Sequence, residues 1–196
     1  MKKIMIASQN KGKIIEYEYW LKPLGYTVYS LLDFPIGTID ETGDDFKTNA
    51  LIKARALSNH LQFTVLADDS GLLVDALNGL PGVHSRRFSE SGTDHANNIK
   101  LLRVMENIAN RHAKFVCVIA LLIPNQEPMF FEGTVYGTIH TVIEGNKGFG
   151  YDPLFIPEGY HETFGTLNET VKHNISHRKK AFKQCLDYLK TLEHKN

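Results

Sequence analysis

The 196-residue chain has little cysteine, no long apolar run and no surplus of charge of either sign. Its two cysteines, Cys117 and Cys185, form no CxxC pair and no framework. Both therefore read as reduced packing residues of a cytoplasmic protein. The start, Met1-Lys2-Lys3, leads straight into a short strand and not into a signal-length apolar region. The longest apolar run, Val116 to Ile123, is far too short to cross a bilayer, so no membrane partner is expected. Lys plus Arg number 22 and Asp plus Glu number 22, a formal net charge of zero. That balance removes the main electrostatic argument for long nucleic acid or an anionic membrane as partner. A small phosphorylated ligand needs only a local cluster. The phosphate-loop pattern GxxxxGK[ST] is missing, no Ser-His-Asp or Cys-His arrangement stands out, and the nine histidines lack zinc-site spacing. No repeat, low-complexity tract or linker interrupts the chain, which reads as one domain over residues 1–196, with room for two lobes.

Ordinary globular material remains: 42% hydrophobic and 22% charged residues. Its centre is Ala67-Asp68-Asp69-Ser70-Gly71-Leu72, flanked by the apolar runs Phe63 to Leu66 and Leu72 to Leu77. Both runs read as strands. A continuing strand would send the two aspartates to opposite faces, and a break at Ser70-Gly71 would free one of them at a strand end. Carboxylates there suit hard divalent cations. Taken alone, the tetrapeptide fits a polar turn equally well.

Around this centre the pattern is α/β. Ile4 to Ala7 is a short strand, followed by a helix to about Lys22 with Ile14, Tyr17, Leu21 and Leu24 at helical spacing and Pro23 and Gly25 as stops. Thr27 to Leu31 completes a βαβ unit. The loop Ser8-Gln9-Asn10-Lys11-Gly12-Lys13 lies where open α/β sheets bind ligands, and its lysines and helix-start N–H groups suit a phosphate. A loop with Pro35 and Gly37 precedes Glu41-Thr42-Gly43 and a helix from about Asp45 to His60, in which Asn49 and Lys53 are four apart and reach one object. Thr93 to about Asn110 reads as a helix with Ile99, Leu102, Met105 and Ile108 on one face. Ala113 to Ile123 is a strand buried on both sides, and Met129 to Ile143 a strand or bent hairpin interrupted at Gly133 and Gly137. Gly148-Phe149-Gly150-Tyr151-Asp152-Pro153 offers two rings as stacking surface. A short helical piece with Lys172 follows, then a final helix capped by Ser176 and opening with His177 and Arg178. Basic groups at a second helix start, against the dipole, again suggest an anion.

The carboxylates Glu41, Asp68 and Asp69, the cations Lys13, Lys53, Lys172 and Arg178, and the small polar groups Ser8, Asn10 and Ser70 suit phosphoryl chemistry on a nucleotide with Mg²⁺. At this point the motifs resemble the inosine triphosphate pyrophosphatase family. The resemblance rests on Ser8-x-Asn10-x-x-Lys13-x-x-Glu16, Glu41-Thr42-Gly43 with Phe46, Asn49 and Lys53, Ala67 to Leu72, Leu80-Pro81-Gly82-Val83-x-Ser85, Gly148 to Pro153, and Lys172 with Ile175 to Arg178. Arg86, Val171 and Gln9 depart from the family's usual residues. The resemblance implies a long bent mixed sheet with flanking helices, two lobes enclosing a nucleotide cleft, and a homodimer. It implies Mg²⁺-dependent hydrolysis of ITP, dITP and XTP to monophosphate and pyrophosphate. It makes Asp69 the catalytic residue and a metal ligand, and Glu41 the second metal ligand. Substrate binding falls to Ser8, Gln9, Asn10, Lys11, Gly12, Lys13, Lys53, Ser70, Phe149, Gly150, Tyr151, Asp152, Lys172, His177 and Arg178. Two alternatives are a pyrimidine-directed house-cleaning pyrophosphatase and a nucleotide-binding module without catalysis. The base-loop and Ser176-His177-Arg178 motifs argue against the first, and the paired acids Glu41 and Asp69 against the second.

Overall fold

The computed structural model describes residues 2–34, 37 and 39–193; Met1 and the loop residue Pro35 lie outside the described residues. Six strands form one mixed sheet in the order β2-β1-β3-β4-β5-β6, with helices flanking it. The strands are β1 (Lys2–Ile6), β2 (Tyr26–Ser30), β3 (Thr64–Val74), β4 (His112–Leu122), β5 (Met129–Ile139) and β6 (Phe155–Pro157). The helices are α1 (Lys11–Leu21), α2 (Phe46–Ser58), α3 (Asp94–Val104), α4 (Glu169–Ile175) and α5 (His177–Glu193). The chain divides into two compact units: Met1–Asp69 with Val118–Glu132 and Ala181–Asn196, and Ser70–Cys117 with Gly133–Lys180. Among the described residues, no helix is long and apolar enough to cross a membrane.

In the first unit β1 pairs in parallel with β2 and with β3, Ile4 lying opposite Val28 and Thr64, so the expected βαβ unit is present. Asn10 caps α1 by accepting from the Lys13 N–H at 3.2 Å. Ile14, Tyr17 and Leu21 are buried, but Leu24 is exposed because the α-helix stops at Leu21 and a 3-10 turn takes over. Gly25 then reverses the chain at φ +80°, a conformation that suits glycine. Asp45 caps α2 through the Thr48 N–H at 2.7 Å. Ala50, Ala54 and Leu57 of α2 pack against Met5, Ala7, Val65 and Ala67 of the sheet. The two alanines carry little bulk, so the helix lies close to the strands.

The second unit has its own core, with Leu72 and Val74 of β3, Leu101 and Met105, Phe115, Val135, Phe155 and Phe164. Phe115 through Leu122 are buried without interruption, as expected for a strand covered on both faces. β5 runs as a single strand to Ile139, with neither a break nor a hairpin. Its Gly137 permits close approach of β6: a Cβ there would overlap the Ile156 carbonyl and stand 2.7 Å from Phe155 Cζ. Ser176 caps α5, accepting from the Lys179 N–H at 3.2 Å.

Two expectations are overturned. The sheet does not break at Ser70-Gly71; β3 continues through Asp68 to Gly71 for eleven residues. Gly71 is compatible with extended backbone, and the apolar runs on either side each find a core to cover. The helix after Thr93 ends at Val104, well before Asn110, and Asn107 adopts φ +61°. Its buried face carries Asn97, Asn98 and Leu101, while Ile99 is exposed. Leu102, Met105 and Ile108 do pack on the core of this unit, so the expected apolar face is met except at Ile99, with Asn97 and Asn98 buried beside it.

Candidate active site

The continuous β3 sends its adjacent aspartates to opposite sides, and each meets a lysine from a different helix. Asp68 Oδ2 lies 3.0 Å from Lys13 Nζ, which also donates to the Asp68 carbonyl at 3.4 Å. Asp69 Oδ1 lies 3.1 Å from Lys53 Nζ on α2. The same ammonium reaches Glu41 Oε1 at 2.7 Å, so Lys53 stands between two carboxylates from distant parts of the sequence. Glu41 is held near by Asn49. The Asn49 amide accepts from the Gly43 N–H at 2.8 Å and donates to the Gly43 carbonyl at 3.1 Å. A side chain at position 43 would collide with Thr48 and Asn49, which accounts for the glycine after Glu41-Thr42. Asn49 and Lys53, one turn apart, thus grip one object as expected, and that object is the Glu41–Gly43 loop.

Burial opposes the Lys53 ammonium, but Asp69, Glu41 and Asp68 outweigh it and hold its pKa above the ordinary lysine value. Burial also pushes the Asp69 carboxyl above the usual carboxylate range, against the pull of Lys53 and Lys13 and with Glu41 adding to the rise. The second Asp69 oxygen, Oδ2, is buried and has no hydrogen-bond partner among the described residues. A buried carboxylate oxygen left open in this way is costly unless something else takes it up. Among the described residues, no group of three or more His, Cys, Asp or Glu gathers to cage a metal. Two carboxylates and an open oxygen nevertheless match how Mg²⁺ is held, by one or two carboxylates together with substrate phosphates.

The loop before α1 is ordered by its own side chains. Ser8 Oγ accepts from the Asn10 N–H at 3.1 Å and Asn10 caps the helix. Gln9 and Lys11 are exposed, Gly12 is half-buried, and Lys13 is drawn down onto β3. Of the two lysines expected at a phosphate, one is therefore already fixed and one projects into solvent.

In the second unit Lys172, Arg178 and Asp152 gather around Phe149. Lys172 Nζ lies 4.7 Å and Arg178 Cζ 5.5 Å from its centroid, both within cation–π range. Lys172 also pairs with Asp152 Oδ2 at 2.6 Å, and that oxygen accepts from the Phe149 N–H at 2.7 Å. Arg178 is fully buried and its Nη2 donates to Ser70 Oγ at 2.8 Å. His177 stacks on Phe115, centroids 4.7 Å apart and 11° from parallel. Two expectations change here. Tyr151 supplies no stacking surface: it is buried in the core and its hydroxyl donates to the Ser85 carbonyl at 2.8 Å. The absence of a Cβ at Gly148 (φ +73°) leaves room for the Asp152 carboxylate and not for a ring ligand.

Ser85, quoted only in a motif, and Asp94, Asn97 and Asn98, which no sequence pattern singles out, hold these loops. Ser85 Oγ accepts from the Leu72 N–H of β3 at 2.9 Å. Asn97 accepts from the Ser89 N–H at 2.7 Å and donates to the Arg86 carbonyl at 3.0 Å. Asp94 and Asn98 hold Gly150 from both sides, at 2.7 and 2.8 Å. The available signal was a pair of neighbouring amides inside a helix whose other residues suggested an apolar face.

Comparison with known proteins bears on this arrangement. The family model described as the Ham1 family matches residues 4–188. A dITP/XTP pyrophosphatase of Oceanobacillus iheyensis is 43% identical over 197 residues, covering 98% of this chain and 100% of that protein. One of Halalkalibacterium halodurans is 46% identical over 193 residues, covering 96% and 100%. Among solved structures, the Staphylococcus aureus Ham1 protein matches with a TM-score of 0.87 at 41% identity, covering 97% of this chain and 99% of that one. A HAM1 protein from Coxiella burnetii gives 0.88 at 37% identity, covering 97% and 100%. The chain belongs to the Ham1 family.

Proposed function

We propose that the protein is a hydrolase of nucleoside triphosphates that attacks the α-phosphorus and releases a nucleoside monophosphate and pyrophosphate. Its proposed substrates are the deaminated purine nucleotides ITP, dITP and XTP, so that it cleanses the nucleotide pool. The observation that carries this reading is the Glu41–Lys53–Asp69 cluster with its open Asp69 Oδ2, in a chain so similar to proteins named dITP/XTP pyrophosphatase. Glu41 and Asp69 would hold Mg²⁺, which neutralises phosphate charge and polarises phosphorus when bound.

The side chains divide the remaining tasks. Asp69 orients the attacking water and accepts its proton, and burial has already raised its affinity for that proton. Lys53 keeps the two carboxylates together before substrate arrives and steadies a phosphate oxygen afterwards. The Ser8–Lys13 loop takes further phosphate oxygens on its N–H groups and on Lys13, with Lys13 held in place by Asp68. In the second unit, Phe149 offers its ring to the base, Lys172 and Arg178 face that ring, with Arg178 also bonded to Ser70, and His177 adds a donor at the start of α5. Donors facing purine position 6 pair with a keto oxygen and are left unpaired by the adenine amino group. Each unpaired donor costs about 1–3 kcal/mol, a discrimination of about 5- to 150-fold. The same reading places the protein in the cytoplasm as a homodimer, for which light scattering should give twice the 22.2 kDa chain mass.

The test is product analysis with Mg²⁺ and a panel of ITP, XTP, dATP and UTP. Monophosphate and pyrophosphate from ITP and XTP, with little turnover of dATP and UTP, is the expected result. Diphosphate and orthophosphate from ITP would overturn the reading, and equal turnover of all four would overturn the proposed selectivity.

A further inference from the structure

We infer that Asp94 and Asn98, at the start of α3, are positioning residues that hold the Phe149–Tyr151 loop in the shape that receives the base. The inference rests on the function proposed above and goes beyond it, since neither residue carries any role in that reading. Both backbone polar groups of Gly150 are tied to this helix. Its N–H donates to Asp94 Oδ2 at 2.7 Å, and its carbonyl accepts from Asn98 Nδ2 at 2.8 Å. Asn98 is almost fully buried and its amide also donates to the Asp94 carbonyl at 2.8 Å, which fixes its orientation. Gly150 itself sits at φ +63° with nothing within 4 Å of where a Cβ would lie. Neighbouring bulk therefore does not hold the turn; hydrogen bonds do. Each residue beside Gly150 carries a further tether, Phe149 through Asp152 and Tyr151 through the Ser85 carbonyl. The Gly150 pair links these two tethers to one rigid element. The carboxylate–N–H bond is charge-assisted, so it holds more strongly than a neutral one. Ring presentation depends on this geometry, because Phe149 reaches Lys172 and Arg178 only while the turn keeps its shape.

Three variants separate positioning from general support. Asp94→Ala removes the bond to Gly150, and Asp94→Asn keeps a neutral acceptor of the same shape. Thr93→Ala removes the α3 cap, whose Oγ1 accepts from the Ala96 N–H at 3.3 Å; among the described residues its side chain bonds only Ser91 and Ala96. Steady-state hydrolysis of ITP gives kcat and KM, and inhibition by inorganic tripolyphosphate, which has no base, gives a phosphate-only Ki. Loss of binding without loss of chemistry appears as a raised KM at constant kcat. The expected result is a KM about tenfold higher for Asp94→Ala, with partial rescue in Asp94→Asn, an unchanged tripolyphosphate Ki and wild-type kinetics in Thr93→Ala. Unchanged KM in Asp94→Ala, or equal KM changes in Asp94→Ala and Thr93→Ala, overturns the inference. A wild-type protein that does not cleave ITP overturns the proposed function instead. Should Asp94→Ala fold poorly, Asn98→Ala is measured alongside, with the same KM rise expected and wild-type KM as the refuting result.

Discussion

Replacing Gly148 with alanine sets a Cβ against a buried ion pair, and the cost can be worked from the structure. The new Cβ would overlap Asp152 Oδ2 and lie 2.9 Å from Asp152 Cγ and 3.0 Å from Lys172 Nζ. It would also have to adopt φ +73°, which strains a non-glycine residue by about 1–3 kcal/mol. Asp152 cannot stay where it is, so at least one of its bonds, to the Phe149 N–H or to Lys172, is lost. A charge-assisted bond of this kind contributes about 1.5–3 kcal/mol. The sum is about 3–6 kcal/mol, a large share of the stability of about 5–15 kcal/mol that such proteins have. Gly150→Ala is the matched control, with φ +63° and open space around its Cβ, so only the strain of about 1–3 kcal/mol applies. Urea unfolding followed by circular dichroism reads both. At an m-value of about 2 kcal/mol/M, the Gly148→Ala midpoint should fall by about 1.5–3 M and the Gly150→Ala midpoint by about half that or less. Equal shifts for the two variants would refute the claim that Gly148 is there for the Asp152 carboxylate.

The other predictions concern the first unit and the thiols. Asp69→Asn should lower kcat by about 10²–10⁴-fold with the fold intact, as expected when a proton acceptor is removed. Asp68→Asn should keep kcat within about tenfold but lose about 1.5–3 kcal/mol of stability, because it releases Lys13; similar kinetic losses in both variants would contradict the division of labour along β3. Stripping divalent cations with EDTA should abolish ITP turnover and leave the unfolding midpoint in place, since Lys53 already bridges the two carboxylates and offsets half their charge. A collapse of the midpoint would show a structural metal instead. Burial pushes the Cys185 thiol up to about 12, so iodoacetamide should leave Cys185 unmodified in native protein at pH 8 and alkylate it in urea, as mass spectrometry reads. Stoichiometric labelling of native Cys185 would refute its burial.

The sequence disclosed more of the first unit than of the second, for physical reasons. β1, α1 and β2 were legible because apolar spacing, Pro23 and Gly25 all act locally. The opposed directions of Asp68 and Asp69 followed from strand alternation alone once β3 was continuous. The continuity itself was hidden, since Asp, Ser and Gly in a row carry the local signature of a turn, and only tertiary burial on both sides overrides it. The spacing of Asn49 from Lys53 is legible in the helix, yet its grip on Gly43 depends on a loop whose path is not encoded in α2. In the second unit the side chains that shape the ring site reach across long sequence distances. Tyr151 bonds Ser85 and Asp94 bonds Gly150, 66 and 56 residues away, and no local pattern reports such pairs. Aromatic character made Tyr151 look like a platform, while its hydroxyl bond and burial make it a tether.

The most direct test of the account follows oxygen during the cleavage of ITP. When hydrolysis runs in ¹⁸O-labelled water with Mg²⁺, attack at the α-phosphorus puts the label in the monophosphate and leaves the pyrophosphate unlabelled. Mass spectrometry of the two products should show that distribution, and label in the pyrophosphate with an unlabelled monophosphate would contradict it.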